Sequence, residues 1–143
     1  SNFTPGQFET LQRYWHQDLL TNQIEISPGH LEHFKNGNLD FCIKERIKPM
    51  SWSPLSGGEL FHPTTEKGIR ILKVIETITE EIGAKNIEEV IYAWLLKHPS
   101  QIMPIVGSGK IERIQAAING ITLKLSMEQW YKIYNASTGV ELP

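Results

Sequence analysis

Four short polar segments recur along this chain at the points where β-prone runs end. They lie at residues 1–3, 22–25, 51–55 and 104–109, and are thus far apart in sequence. In a parallel α/β barrel the active-site face is built from the carboxyl ends of the strands and the loops that follow them, so its functional residues occur singly and at wide intervals. The pattern predicts one wall of a cofactor site in such a barrel.

The length of the chain conflicts with a complete barrel. A barrel of this kind takes roughly 250 residues, whereas the chain has 143. We predict three strands, at 19–26, 48–52 and 102–106, which alternate with helices and therefore form a parallel sheet with right-handed crossovers. Three strands cannot close, so we expect apolar inward faces and two open sheet edges. The isolated chain, one domain over 1–143, is then expected to self-associate or to need a missing N-terminal half.

Helix signals are distributed along the whole chain. The clearest is an isoleucine every three or four residues from 71 to 82, with Gly83 as a stop. Further helices are predicted after Thr4, over 29–45 with an interruption near 36–38, from Asn86 to 98, over 110–118 and after Ser126. Thr4 and Ser126 each have a glutamine three residues later, and Asn86 has a glutamate there, all typical of capping boxes.

Charge and composition narrow the function classes. The net charge is −2 and the basic residues are scattered, which argues against a nucleic-acid partner. No apolar run is long enough to span a membrane, and the N-terminal stretch lacks a signal-peptide pattern. The single cysteine, Cys42, cannot form an internal disulfide and is predicted to be buried. We therefore expect a cytoplasmic protein.

Several other residues that could carry chemistry have simpler structural explanations. His30 and His33 share a helix face, but no Cys, Asp or Glu completes a metal site at ligand spacing, so both are predicted to be surface residues. The pair Glu88 and Glu89 is interpreted as solvated or capping charge. Tryptophans at 94 and 130 occur at helical spacing among aliphatic residues and are predicted to belong to the core.

The order and spacing of the polar segments carry a family resemblance. The motifs are Ser1-Asn2-Phe3, Asn22-Gln23-Ile24-Glu25 with Pro28, Trp52-Ser53-Pro54-Leu55, Gly107-Ser108-Gly109-Lys110 and Ile111-Glu112-Arg113-Ile114. Together they resemble the C-terminal half of an aldo-keto reductase of the bacterial oxidoreductase type. The resemblance implies an α/β fold, the C-terminal portion of a (β/α)8 TIM barrel with about strands 6–8 and their helices.

The resemblance also implies an activity and a cofactor. Family members are NAD(P)H-dependent oxidoreductases that reduce aldehydes or ketones, so a small carbonyl compound would be the substrate. By analogy Ser1, Asn2 and Gln23 would bind the nicotinamide carboxamide, and Trp52 would stack on its ring. The segment Ser53, Pro54 and Leu55 would pass the pyrophosphate. Gly107, Ser108 and Arg113 would hold the adenosine end, where an arginine favours NADPH over NADH.

Two departures from the family pattern qualify these expectations. The family often has a lysine near the position of Gly107, and acidic and amide residues where this chain has Gln115, Ala116 and Ala117. The family's tyrosine, lysine, aspartate and histidine belong to the first half of the barrel. The tyrosines of this chain, at 14, 92, 131 and 134, fall in helical stretches predicted to lie outside it. We therefore assign no catalytic residue to the chain.

Other interpretations stay open from the residues alone. Trp52 could be a core aromatic, Gln23 a polar residue at a strand end, and Arg113 a solvated helix charge. At the level of the protein, the alternatives are a noncatalytic nucleotide-binding or regulatory barrel module, or another phosphate-binding barrel in which the arrangement arises by chance.

Overall fold

A computed structural model describes residues 1–140 of the chain. The first half contains α1 (Pro5–Tyr14), β1 (Gln23–Glu25), α2 (Glu32–Lys35), α3 (Asn38–Lys44), β2 (Met50–Trp52) and a 3₁₀ segment (Ser56–Phe61). The second half contains α4 (Glu66–Ile82), α5 (Ile87–Leu96), β3 (Met103–Pro104), α6 (Ile111–Thr122) and α7 (Met127–Thr138). Strands thus alternate with helices, as predicted.

The three strands form a parallel sheet in the order β1-β2-β3. Gln23 pairs with Met50 and Glu25 with Trp52, while β3 pairs with the first two residues of β2. The parallel sheet is confirmed, but its strands are much shorter than predicted, because the register joins only three residue pairs between β1 and β2 and two between β2 and β3. Just outside those pairs single backbone hydrogen bonds still join the strands, as where the Ile105 N–H donates to the Ser51 carbonyl at 2.9 Å.

The two faces of the sheet differ in composition. Ile24 and Ser51 are fully buried on the face covered by the helices, and the Ser51 hydroxyl donates to the Ile26 carbonyl at 2.6 Å. The intervening residues Gln23, Glu25, Met50 and Trp52 are half-buried on the opposite face. That inward face is mixed rather than apolar, which corrects our expectation.

The exposed apolar residues lie mainly on helices at the two ends of the sheet order. Around α1 they are Leu11, Tyr14, Trp15 and Leu20, and on α6 they are Ile111, Ile114, Ile118 and Ile121. Two such groups of exposed apolar side chains are unusual on the surface of a monomeric soluble protein.

Helix boundaries follow the local sequence closely. The Thr4 and Ser126 side chains accept from the backbone N–H groups of Gln7 and Gln129, whose side chains accept from the cap N–H groups in return, so both capping boxes are confirmed. Gly83 ends α4 in the left-handed conformation at φ 66°. The helix predicted over 29–45 is divided into α2 and α3, because Gly37 lies at φ 81° between them.

The main core lies between the sheet and helices α4, α5 and α7. Ile71, Ile75 and Ile78 of α4 are fully buried, which confirms the predicted periodicity. Trp94 on α5 and Trp130 on α7 are also buried, and their rings stack with centroids 5.3 Å apart. Each indole N–H donates to the backbone carbonyl of the other tryptophan, at 3.1 and 3.0 Å.

A second, smaller cluster joins α1 to α3. Phe8 and Phe41 meet edge to face with centroids 5.5 Å apart, next to Cys42. Cys42 is 1% exposed, as predicted, and burial raises the pKa of its thiol to about 11. Such a thiol remains protonated and unreactive at neutral pH.

Within residues 1–140, none of the helices combines the length and apolar character needed to cross a lipid bilayer.

Candidate functional site

A groove of about 440 Å³ runs along the carboxyl ends of β2 and β3 toward the start of α6. Seven of the ten residues predicted to bind a cofactor line it: Trp52, Ser53, Pro54, Leu55, Gly107, Ser108 and Arg113. The sequence therefore identified two separate segments that the fold brings together in one concave surface.

The other three predicted residues lie beside the groove, next to Trp52. The Trp52 indole N–H donates to Asn2 Oδ1 at 2.9 Å, and the Asn2 backbone N–H donates to the Gln23 carbonyl at 2.8 Å. Gln23 and Trp52 also share the inward face of the sheet. Ser1 is exposed and precedes Asn2 directly. These contacts fix the Trp52 ring and join the β1 end of the sheet to the groove.

Left-handed backbone shapes the middle of the groove. Ser53 and Ser56 have φ of 47° and 54°, and Gly57 and Gly58 have φ of 62° and 92°. A Cβ built on either glycine would meet no atom within 4 Å, so the backbone there is open to close approach by a ligand. The loop is held in position by Ser56, whose hydroxyl donates to Ser27 Oγ at 2.9 Å and accepts from the Gly29 N–H.

The far end of the groove is rich in free backbone donors. Among residues 1–140, nothing accepts a hydrogen bond from the N–H groups of Gly107, Ser108 or Gly109. The α6 cap, Lys110, makes no side-chain capping bond, whereas α1, α4, α5 and α7 are all capped by side chains. Unbonded N–H groups at a helix N-terminus attract anions through their partial positive charge.

Arg113 stands at this end, one turn into α6. Its guanidinium lies 5.8 Å from the centroid of the Phe61 ring, and its Nε is 3.5 Å from Glu88 Oε1. It is the one charged residue among the described residues that line the groove. An anion approaching the free N–H groups would therefore meet this cation.

The acidic pair on α5 agrees with our interpretation only in part. Glu89 is buried at 3% exposure, and the Glu88 side chain is only 12% exposed, so neither is a freely solvated charge. Glu89 accepts from the Lys85 N–H at 3.0 Å and from Asn119 Nδ2 at 2.7 Å. The first bond satisfies the backbone N–H of the residue just before the Asn86 cap. The second joins α5 to α6.

Three residues at the groove were not predicted from the sequence. Phe61 and Tyr92 line the groove, and Glu88 lies next to its Arg113. Tyr92 is 3% exposed and lines the groove from α5. Burial, then the nearby Glu88, raises the pKa of its hydroxyl. The signal in the sequence was the nearly continuous apolar run over residues 90–96, which indicates a helix buried on most faces, so that a polar group within it must meet a cavity or a hydrogen-bond partner.

The histidine pair lies away from the groove. His30 is 3.8 Å from Glu25 and 3.6 Å from Glu32, and the His33 ring centroid is 6.1 Å from that of His30. Burial lowers the pKa of His33. In the part of the chain that the structure describes, no group of three or more His, Cys, Asp or Glu side chains could hold a metal ion.

Comparison with known proteins identifies the family of the chain. The model of the Aldo/keto reductase family matches residues 1–137. The chain belongs to the aldo/keto reductase family. The family resemblance of the polar segments is thereby confirmed.

Several curated relatives of this aldo/keto reductase chain cover it from end to end. It is 48% identical over 143 residues to the uncharacterized oxidoreductase YcsN of Bacillus subtilis, covering 100% of this chain and 48% of the relative. Oxidoreductase YdhF of Escherichia coli is 46% identical, with 100% and 47% covered. A 6-dehydroglucose reductase of Agrobacterium fabrum is 35% identical over 142 residues, with 99% and 46% covered. The chain spans about half the length of these relatives.

Solved structures show the same fold. The thermostable aldo-keto reductase Tm1743 superposes with a TM-score of 0.82 at 23% identity, over 94% of this chain and 46% of that one. Aldose reductase from Giardia lamblia gives 0.77 at 23% identity, over 99% and 45%. These neighbours are (β/α)8 barrels, so the aldo/keto reductase chain has a partial α/β barrel fold with a small parallel sheet.

Proposed function

We propose that the protein carrying this chain is an NAD(P)H-dependent oxidoreductase that reduces aldehydes or ketones to alcohols. Residues 1–143 would be the C-terminal half of its single barrel and would supply the cofactor-binding wall. The observation that carries the proposal is the one groove in which Trp52, an open left-handed loop and an uncapped helix N-terminus with Arg113 follow one another. That order matches the ring, pyrophosphate and adenosine ends of a nicotinamide dinucleotide.

The nicotinamide end would lie at Trp52. When bound, the dinucleotide would supply the hydride for carbonyl reduction. Trp52 would stack on the nicotinamide ring, since a flat indole suits an electron-poor ring. Asn2 Oδ1 already accepts from the indole, so its Nδ2 is the group free to donate to the carboxamide. Gln23 on the same sheet face, and Ser1 beside Asn2, would complete the carboxamide contacts.

The phosphates and adenosine would extend along the rest of the groove. Ser53, Pro54 and Leu55 lead into the open glycine backbone, where a pyrophosphate can approach without steric conflict. Gly107 and Ser108 would contribute backbone N–H groups at the adenosine end. The Arg113 guanidinium would bind a ribose 2′-phosphate there, which favours NADPH, with NADH as the weaker ligand.

Among residues 1–140, none of the four tyrosines is suited to donate a proton to a carbonyl at the groove. Tyr92 is buried and its raised pKa makes it a poorer acid. Tyr14 is exposed on α1, and Tyr131 and Tyr134 pack on α7 against Trp130. The general acid would come from the rest of the protein, so we expect no turnover by residues 1–143 alone.

Cofactor binding is tested by fluorescence of the full-length protein. NADPH should quench tryptophan emission, because Trp52 would be in contact with the nicotinamide, whereas the other three tryptophans of the chain, Trp15, Trp94 and Trp130, do not line the groove. A Trp52→Phe variant should still bind NADPH, measured by calorimetry, but lose most of the quenching. Absence of binding at high micromolar NADPH would refute the proposal. Binding without oxidation of NADPH by any of a set of aldehydes and ketones would instead indicate a noncatalytic nucleotide-binding module.

A second expected result concerns residues 1–143 in isolation. The isoleucines of α6 and the apolar residues around α1 would have no cover, so the fragment should form dimers or larger species in sedimentation velocity. The double variant Ile118→Lys, Ile121→Lys should shift the fragment toward monomer. Glu76→Lys, at an exposed site on α4, should not. A monomer with a sharp two-state urea transition would contradict this expectation.

A further inference from the structure

The cation at the adenosine end of the groove already has an anionic neighbour. Glu88 Oε1 lies 3.5 Å from Arg113 Nε, and the Glu88 side chain is only 12% exposed while that of Arg113 is 48% exposed. The Arg113 guanidinium makes no hydrogen bond to any residue between 1 and 140. Glu88 therefore offsets the one charge in the groove that would attract a phosphate, while the two Nη groups stay available to a ligand.

We propose that Glu88 sets the balance between NADPH and NADH by competing with the ribose 2′-phosphate for Arg113. The inference rests on the proposed function, and goes beyond it by assigning the preference to a residue on α5 that does not itself line the groove. A carboxylate repels a phosphate dianion, and its negative charge also reduces the positive electrostatic potential around its arginine partner. NADH has a neutral hydroxyl at the same position and would be nearly indifferent to this charge.

The helix packing makes the pairing of Glu88 and Arg113 a permanent feature. α5 and α6 approach closely at Gly120, where a Cβ would lie 2.9 Å from the Glu89 carbonyl and 2.7 Å from the Tyr92 Cβ. Glu89 also accepts a hydrogen bond from Asn119 of α6 at 2.7 Å. The backbones that carry the acid and the arginine are thus held together by contacts independent of either side chain, so removing the Glu88 charge need not move Arg113.

The burial of Glu88 makes its charge effective. Interactions between charges that are withdrawn from water are screened much less than those between exposed charges. The pKa of Tyr92, which is raised first by burial, is raised further by Glu88 and lowered by Arg113, so both charges act on the groove wall.

The test is a Glu88→Gln variant of the full-length protein, which removes the charge and keeps the shape. Dissociation constants for NADPH and NADH are measured by calorimetry at one fixed ionic strength. We expect NADPH to bind about 3- to 10-fold more tightly and NADH to change by less than about 2-fold, so the preference for NADPH rises. Glu80→Gln, the same charge change at an exposed site on α4, should leave both constants unchanged.

The dependence on Arg113 distinguishes competition from a structural effect. In an Arg113→Ala background the Glu88→Gln change should alter the ratio of the two constants clearly less than it does when Arg113 is present, because only the direct repulsion between Glu88 and the phosphate remains, and a double-mutant cycle measures the difference. An unchanged or lower NADPH preference in Glu88→Gln would overturn the inference, as would equal changes for both cofactors. A wild-type protein that binds neither cofactor would overturn the proposed function, and the inference with it.

Discussion

Replacing Arg113 with alanine in the full-length protein should weaken NADPH binding by about 30-fold, equivalent to about 2 kcal/mol. The expected loss is that of charge-assisted hydrogen bonds from the free Nη groups to a ribose 2′-phosphate. NADH has no phosphate at that position, so its dissociation constant should change by less than about 3-fold. Calorimetric titration with each cofactor measures both values.

The matched variant for this prediction is Arg113→Lys. Lysine keeps the charge but lacks the planar fork of donors, so an intermediate loss of NADPH affinity is expected. Should Arg113→Ala weaken NADPH and NADH to the same extent, Arg113 would be supporting the groove through its contact with Phe61 rather than binding a phosphate.

Among the proposed substitutions, truncation of Trp94 should lower the free energy of unfolding the most. Trp94→Ala removes a fully buried indole that stacks on Trp130 and packs against Phe34 with ring centroids 5.5 Å apart. It also leaves the Trp130 carbonyl without its indole donor. A cost of about 3 to 5 kcal/mol in the free energy of unfolding is expected. Urea denaturation of the full-length protein, followed by circular dichroism, measures it.

A graded series separates packing from hydrogen bonding at this site. Trp94→Phe keeps much of the ring volume but loses the indole N–H, so a smaller cost of about 1 to 3 kcal/mol is expected. Lys132→Ala, on the exposed side of the same α7 helix, should cost less than about 0.5 kcal/mol. A Trp94→Ala variant as stable as the wild type would show that the tryptophan pair does not hold α5 to α7.

Helices were more predictable from the sequence than strands. The periodicity of α4 reports burial directly, and caps such as Thr4 with Gln7 act within one turn, so both kinds of information are local. The extent of a strand depends instead on how far its neighbour continues. β3 pairs over only two residues, Met103 and Pro104, although its β-prone sequence extends from 102 to 106.

Parts of the candidate site were also accessible from sequence. Trp52 and Arg113 were identified because each belongs to a short motif at the end of a strand or the start of a helix. Glu88 and Tyr92 were not, because they act through contacts with residues about 20 positions or more away, which neither periodicity nor motif spacing reveals. The side-chain exposure of Glu88, 12%, is likewise a tertiary property.

The reciprocal hydrogen bonds between Trp94 and Trp130 set a limit on how far the chain could be trimmed from its carboxyl end. A protein cut back past Trp130 would leave the Trp94 indole N–H and carbonyl in an apolar interior with no partner. Trp94 is on α5, the same helix as Glu88 and Tyr92. Because α7 packs against α5 through this tryptophan pair, loss of α7 should also disturb the groove wall. Variation in tail length among related enzymes should accordingly begin only after that turn.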